Sequence, residues 1–565
     1  MSMILSPPDS RHVERPQARA LTIALSIAIA AYAAAGVFAM LLFAPRVPYA
    51  DQWRHYAHLL TMPFPSNVFE VDGGHVEVLP HLLRLADLHF FAASEWLQII
   101  AGTLFALVAV VLLVQVIWSD RSIARPTRMA CLLAAVLGVY WLGNLRALAQ
   151  SGDSVHVYLI LTCLAVALLL LLRSNAGGIA TRDLLGASSC CVVATFSFGT
   201  GIATFAAVLA VLFVRRAPPR QWLLVVLVGA LTLAAYFALP QASARYAPVS
   251  LDTALTSLRL LGATFVYLFW PLLDPAAAAS SPAPLRTMLL ATANAWTAQF
   301  GEIRHAVFPQ AAFGAVALVL AAVFGLRLRR AASRRERAAG LGFALACFGI
   351  ALALLVALAR ADYFSIYDDQ IIAPRYLPWW SLCWAGLLIA AFAQMRSPPR
   401  AAFLALVLAL LAMPSEIGMG TLARRVREVA EDAAVFAAVG VAPESISLGE
   451  ATGIEDLRPA LQALRAAHAA VFAWPETALL GEDVPAGLVP LAASGVTAEP
   501  VVNRFGGGGS RVFARFDATP CASRVLVASA GRVIGLLRRS SDGHWHGVAR
   551  GNANDADIRF FALCR

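Results

Sequence analysis

The sequence predicts an all-α polytopic transmembrane bundle of about 11–13 helices, followed by a C-terminal α+β extracytoplasmic domain. Three observations lead there. The chain of 565 residues is 59% hydrophobic and only 14% charged, with a mean hydropathy of +0.70, outside the range of soluble globular domains. Apolar runs close to the roughly 20 residues that cross a bilayer recur along residues 1–414. Beyond residue 414 those runs stop, and charged residues, glycines and alternating patterns take over.

The first run, residues 20–43, is longer than the apolar region of a secretory signal and precedes many further spans, so it reads as a retained first helix. Residues 97–118, 155–172, 221–239, 340–358 and 376–394 are continuous apolar runs, where barrel strands would alternate. Residues 184–214 are too long for one span at about 1.5 Å per residue. With Arg182 before them and Arg215 after, they are expected to form two short helices turning at Phe198-Gly199-Thr200-Gly201. Residues 255–308 leave two alternatives: 258–273 and 285–300 both cross, or the first is re-entrant.

All 44 basic residues are arginines, giving a formal net charge of +10. They cluster as Arg11/Arg15/Arg19, Arg121/Arg125/Arg128, Arg215/Arg216/Arg220, Arg327 to Arg337 and Arg396/Arg400. Each cluster flanks a span, as cytoplasmic loops do, so the charge reports topology rather than a nucleic-acid partner. The N-terminus is then cytoplasmic, residues 44–95 form a long external loop of the transmembrane domain 1–414, and residues 415–565 form a soluble periplasmic domain. In that domain 421–439 and 457–472 have helical spacing, and 511–516, 524–529, 532–537 and 558–563 read as strands. Gly506 to Gly509 lacks the Lys-Ser/Thr of a phosphate loop and reads as a flexible turn. His544 and His546 share a strand face without a third ligand nearby.

Six of the eight cysteines lie in apolar runs, where thiols pack as small hydrophobes. Cys521 and Cys564 are the pair in the external domain and are expected to form a disulfide worth about 4 kcal/mol on chain-entropy grounds.

The chemistry concentrates in the first loop, which holds Asp51, His55, His58, Glu70, Asp72, His75, Glu77, His81, Arg84, Asp87 and His89. A solvated loop with an amphipathic helix over 79–91 resting on the bilayer accounts for most of them. Asp51 stands apart. It follows the first helix directly, between the interfacial aromatics Tyr49 and Trp53, where a carboxylate is placed to take a proton from a hydroxyl attacking a substrate presented by the lipid. A divalent cation held by Asp51 and the histidines stays open, although the spacing matches no metal signature, and no other cofactor is indicated. Three further polar groups lie in or against spans: Asn144, Arg146, Gln150, Asp153 and His156; Arg360, Asp362, Asp368 and Asp369; and Arg375-Tyr376. Ionisable residues at such depth default to functional hypotheses, with salt bridging an equal account of the second group. Arg375 opens a span from the external side, suited to a phosphate.

Asp51-Gln52-Trp53, the run Gly74-His75-Val76-Glu77-Val78-Leu79-Pro80-His81-Leu82-Leu83-Arg84, Arg360, and Pro374-Arg375-Tyr376-Leu377-Pro378 together resemble the GT-C superfamily of membrane glycosyltransferases. Within it they are similar to a group of bacterial multipass proteins patterned Asp-Asp/Gln-Trp, Asn-Glu-His-Arg and Arg-Tyr. This chain differs in having Gly74-His75-Val76 where that group carries Glu-His-Arg, and Gln52 where many first loops carry a second acid. The resemblance implies a bacterial inner-membrane enzyme that moves a sugar from a polyprenyl-phosphate donor to a glycan, lipid or protein acceptor, with Asp51 as general base. It implies substrate contacts at Arg375, Tyr376, Arg360, Arg84, His75 and Glu77. The competing classes are a flippase or transporter of lipid-linked glycans and a non-catalytic envelope scaffold; no repeat between halves favours the transporter.

Overall fold

A computed structural model describes residues 16–564 apart from 73–74, 174–177, 240–247, 280–282, 331–335, 444–456, 517–522 and 552–556. Among these residues ten helices are long and apolar enough to cross a membrane: Arg19–Leu42, Trp96–Trp118, Arg125–Ala149, Ser151–Arg173, Pro219–Ala238, Leu251–Ala279, Val307–Arg330, Arg337–Ala359, Asp368–Gln394 and Pro398–Val439. The chain is a multispan helical membrane protein. The long stretch between Arg182 and Arg215 breaks as its length requires, into helix Thr181–Ser197 and the apolar helix Gly199–Arg215. At the break, Gly201 lies so close to the Ala194 carbonyl that a Cβ there would sit 2.0 Å from the oxygen.

The arginine-flanked turns meet at one end of the bundle. Asp120 accepts from the Ala338 amide at 2.9 Å, Arg173 pairs with Asp183 at 2.7 Å, and Arg337 donates to the Arg173 carbonyl at 3.4 Å. Arg215 and Arg216 donate to the carbonyls of Leu172 and Arg329 at 3.2 and 2.9 Å. The bonds from Arg337, Arg215 and Arg216 satisfy carbonyls left open at helix C-termini with cations the helix dipole favours there, and Asp120 takes an amide left open at a helix N-terminus.

Of the two alternatives for residues 255–308, the structure has one candidate span, Leu251–Ala279. Its helix Leu251–Leu273 runs antiparallel to Val307–Arg330 at backbone contact, since a Cβ on Gly262 or Gly314 would stand 1.9 or 2.0 Å from the carbonyls of Gln310 and Leu258. Helix Ala283–Phe300 is mostly exposed, with Ala293 its one buried residue.

The last span does not end where the apolar run ends. Helix Pro398–Val439 continues for 42 residues through Pro414, because alanines on its far half bury against the first loop and the C-terminal elements. Ala430 and residues 433–439 share a core with Trp53, Tyr56 and Leu59 of the first loop, Leu461 and Leu464 of helix Arg458–Ala466, and Leu526, Val533, Leu536 and Val548 of the C-terminal sheet. The C-terminal elements and the first loop therefore sit together at one end, tied also by the Ala470 amide donating to the Ala92 carbonyl at 2.6 Å.

The first loop carries a two-stranded ribbon, β1 (Val71–Asp72) and β2 (His75–Val76). The C-terminal strands are β3 (Val489–Leu491), β4 (Ala493–Val502), β5 (Gly508–Phe516), β6 (Arg524–Ser529), β7 (Arg532–Arg539), β8 (Trp545–Arg550) and β9 (Arg559–Ala562). They form one antiparallel sheet in the order β3-β9-β6-β7-β8-β5-β4. β3 and β4 are separated by Ala492 alone yet occupy opposite edges, so the sheet curls until its edges approach and encloses Val512, Val525, Val527, Leu537, Trp545 and Phe560. Of the glycine run, Gly506 and Gly507 make the turn with φ of 90° and 78°, while Gly508 and Gly509 already belong to β5. His544 and His546 part company: the first accepts from Arg515 at 3.2 Å, and the second bonds Asp432 of the long helix at 2.7 Å. Arg538 joins Asp432 at 2.5 Å and Glu431 at 3.3 Å, pinning the sheet to the helix. Cys564 is disulfide-bonded; its expected partner, Cys521, lies outside the described residues.

Candidate active site

The chain reverses after the first span at Ala50, whose φ of 51° is left-handed, and enters helix Gln52–Thr61. Asp51 stands at the N-cap without using its carboxylate as a cap; it pairs instead with Arg54 at 3.3 Å and keeps 48% of its side chain exposed.

Helix Val78–Phe91, expected as an amphipathic helix with its apolar face on the bilayer, buries Pro80, His81, Arg84 and Asp87 and exposes Leu82, Phe90 and Phe91. Its polar face thus looks into the protein. Arg84, 1% exposed, donates to Glu77 at 2.6 Å and to Gln52, the neighbour of Asp51, at 3.1 Å. Burial opposes ionisation of Glu77, but the Arg84 guanidinium overrides it and holds the carboxyl well below the usual range. Burial also depresses His55, with Arg84 adding to the effect.

Behind this pair lies a second buried network. Tyr56 donates to Asp87 at 2.7 Å, the amides of Glu95 and Leu97 donate to Asp87 at 3.0 and 3.1 Å, and Gln98 donates to Glu95 at 2.8 Å. Ser151 closes it onto Glu95. Burial beside the Asp87 carboxylate pushes Glu95 up to about 8.

On the opposite side, the 3-10 turns Asp368–Ile372 and Pro374–Tyr376 lead into helix Leu377–Gln394 and present Arg375. It donates to Tyr363 at 3.2 Å and Gln370 at 3.3 Å and lies 5.0 Å from the Tyr376 ring centroid. Arg360, at the end of helix Arg337–Ala359, approaches His75 at 3.4 Å. Burial, aided by Arg360, pushes His75 down to about 4. Arg146 and Asp153 pair at 2.5 Å.

Asp51, Glu77, Arg84, His75, Arg146, Asp153, Arg360 and Arg375 face one cavity of about 650 Å³, while the Tyr56–Asp87–Glu95 network lies behind its wall. Asp51, Arg375, Tyr376, Arg360, Arg84, His75 and Glu77, the seven residues singled out from the sequence, all line it, joined by Arg146, Gln150, Asp153 and His156 from the first polar group. Asn144 turns away to cap the carbonyls of Gly138 and Val139, and Asp368 pairs with Arg259 at 2.5 and 3.0 Å instead. Gln52, Arg54, Ser151, Phe198 and Tyr236 also line the cavity and were not anticipated. Of these, Tyr236 carried a signal, the one phenolic hydroxyl in the apolar run 221–239. It accepts from the Val76 amide at 3.3 Å.

The cavity has two chemical faces. Arg54, Arg84, Arg146, Arg360 and Arg375 outnumber Asp51, Glu77 and Asp153, so the polar wall favours an anion. The other wall is Leu233 and Phe237 of helix Pro219–Ala238 with Leu352, Leu355, Val356 and Ala359 of helix Arg337–Ala359. Phe237 and Leu355 are 49% and 37% exposed, so this wall reaches the lipid-facing surface. Among the described residues, no group of three or more His, Cys, Asp or Glu side chains is arranged to hold a metal ion.

No family model matches the chain, and no curated protein matches it. Among solved structures, the crystal structure of ArnT from Cupriavidus metallidurans bound to undecaprenyl phosphate aligns over 74% of this chain and 81% of that one, at 15% identity and a TM-score of 0.31. A likeness at that level carries no argument about chemistry, which is read from the cavity's own residues.

Proposed function

We propose that this chain is a GT-C-type membrane glycosyltransferase that takes a sugar from a polyprenyl-phosphate donor and passes it to a cell-envelope acceptor. The observation that carries the reading is the cavity's division into a cationic wall holding a carboxylate and an apolar wall continuous with the lipid-facing surface. An amphipathic donor with a phosphate head and a hydrocarbon tail matches both. The sequence resemblance points the same way.

In this reading the donor phosphate faces Arg375, with Arg146 and Arg360 on the same cationic wall. Asp51 accepts the proton of the acceptor hydroxyl, whose oxygen attacks the anomeric carbon from the face opposite the phosphate. The bond from that carbon to the phosphate oxygen breaks, configuration inverts, and polyprenyl phosphate leaves. The arginines stabilise the charge that develops on it. Glu77, Arg84 and Gln52 form a rigid buttress beside Asp51, and His75 keeps Arg360 oriented. The arginine-flanked end lies in the cytoplasm of a bacterial inner membrane, and the cavity and C-terminal domain lie outside.

Purified protein in nanodiscs, given undecaprenyl-phosphate-linked sugars extracted from cell envelopes, should release undecaprenyl phosphate with time. Donor binding without release in the presence of the same envelope extract as acceptor source contradicts transfer and returns the cavity to a carrier of lipid-linked glycans.

A further inference from the structure

Helices Thr181–Ser197 and Gly199–Arg215 break inside the bundle, and the break has the character of a binding site. The second helix opens with the 3-10 turn Gly199–Ala203, whose N-cap, Phe198, offers no side-chain acceptor, and no side-chain capping bond is made there. The Gly201 amide turns back to the Phe198 carbonyl at 2.8 Å. The amides of Gly199 and Thr200 therefore precede the first intrahelical bond, at the positive end of the helix dipole. Phe198, Gly199 and Thr200 line the cavity.

Two side chains make this more than a bare helix start. His156 is 8% exposed, lines the same cavity, and its Nδ1 has no hydrogen-bond partner among the described residues. Its ring lies 10° from parallel to Phe198 at 4.2 Å, while His75 stacks on the same ring at 4.1 Å. Two rings at those distances occupy opposite faces, so Phe198 holds both imidazoles at the break. Thr200 Oγ1 also has no partner among the described residues. A buried polar group left unbonded is costly, and an arriving ligand that bonds it removes the cost.

We propose that this helix start, with Thr200, His156 and Arg360, is a second anion subsite that takes a phosphate group other than the one facing Arg375. The proposal rests on the reading of the cavity as a lipid-phosphate site and narrows its substrates. The second phosphate comes either from a diphosphate-linked donor lipid or from a phosphorylated acceptor.

The test uses the full chain in nanodiscs with three probes: undecaprenyl phosphate, undecaprenyl diphosphate, and inorganic phosphate added to protein saturated with undecaprenyl phosphate. A diphosphate-linked donor predicts that the diphosphate binds about tenfold more tightly than the monophosphate. A phosphorylated acceptor predicts instead that inorganic phosphate binds to the lipid-loaded protein. In either case the Thr200→Val/His156→Phe double variant should erase that effect, and His156→Gln, which restores a hydrogen-bonding group, should retain part of it. Absence of both effects in the parent protein, or their persistence in the double variant, overturns the subsite. Failure of the parent to bind undecaprenyl phosphate at all contradicts the proposed donor instead; inorganic phosphate titrated into parent and double variant without lipid then decides the subsite, with equal binding refuting it.

Discussion

Glu77→Gln removes one charge from the most deeply buried ion pair at the cavity. Glu77 and Arg84 are 5% and 1% exposed, their closest atoms are 2.6 Å apart, and the Arg84 Nε proton is taken by Gln52 at 3.1 Å. The substitution leaves a guanidinium enclosed against a neutral amide, and breaking a buried pair in this way costs about 3–5 kcal/mol. The ionised form of Glu77 contributes its stability above the unfolded carboxyl value, and that contribution is lost only as pH falls through the strongly lowered folded value. The loss on substitution is therefore complete at neutral pH. Replacing both partners, Glu77→Gln/Arg84→Met, removes the stranded charge and should recover most of the stability. Unfolding by sodium dodecyl sulfate in mixed micelles reads both. A single variant as stable as the parent, or a double variant weaker than the single, refutes the buttress.

Three further outcomes are expected. Burial beside Asp87 raises the Glu95 carboxyl from its ordinary 4.5 to about 8, so the folded state holds the extra proton and stability falls as pH rises between those values. His75, lowered from 6.5 to about 4, works in the opposite sense below 6.5, so the loss is read above pH 6.5; Glu95→Gln should reduce it in the same unfolding titration, and an unchanged slope removes Glu95 as a source. Arg375→Lys keeps the charge but loses the planar fork, so it should weaken undecaprenyl phosphate binding less than Arg375→Ala does, and equal, unimpaired binding by both returns Arg375 to an interfacial anchor. A reporter active only in the cytoplasm should be silent when fused after Arg565, and peptide mapping without reduction should join Cys564 to Cys521; a bright reporter or two free thiols overturns the outside placement of the domain.

What was legible in the sequence follows from the range of each interaction. Span positions and the break at Phe198-Gly199-Thr200-Gly201 depend on local hydropathy and length, and both were readable. Asp51, Arg360 and Arg375 stood out because a charge at a span end is costly wherever it lies. Their convergence on one cavity is a tertiary fact. So is the choice of partner: nothing local distinguishes Arg360, which faces the cavity, from Asp368, which pairs with Arg259. Helix 79–91 was read with its apolar side on the bilayer, but periodicity says nothing of what the polar side meets, and here it meets Glu77, Gln52 and Tyr56. β4 is hard to read because Gly495 and Pro500 interrupt its pattern, and of β8 only the strand spacing of His544 and His546 is legible, since Gly547 follows directly. The length of the last helix was hidden by Pro414, which marks an end in isolation but is carried through when the following turns are buried.

The most direct test of the central claim is transfer by Asp51→Asn. The variant keeps the shape of the side chain and its place at the start of helix Gln52–Thr61, yet cannot accept the acceptor's proton. Positioned general-base catalysis is worth about 10² to 10⁴ in rate. Assayed in nanodiscs with a lipid-linked sugar and envelope extract, Asp51→Asn should bind undecaprenyl phosphate as the parent does while its release of undecaprenyl phosphate falls by that factor. Release at the parental rate contradicts Asp51 as the base.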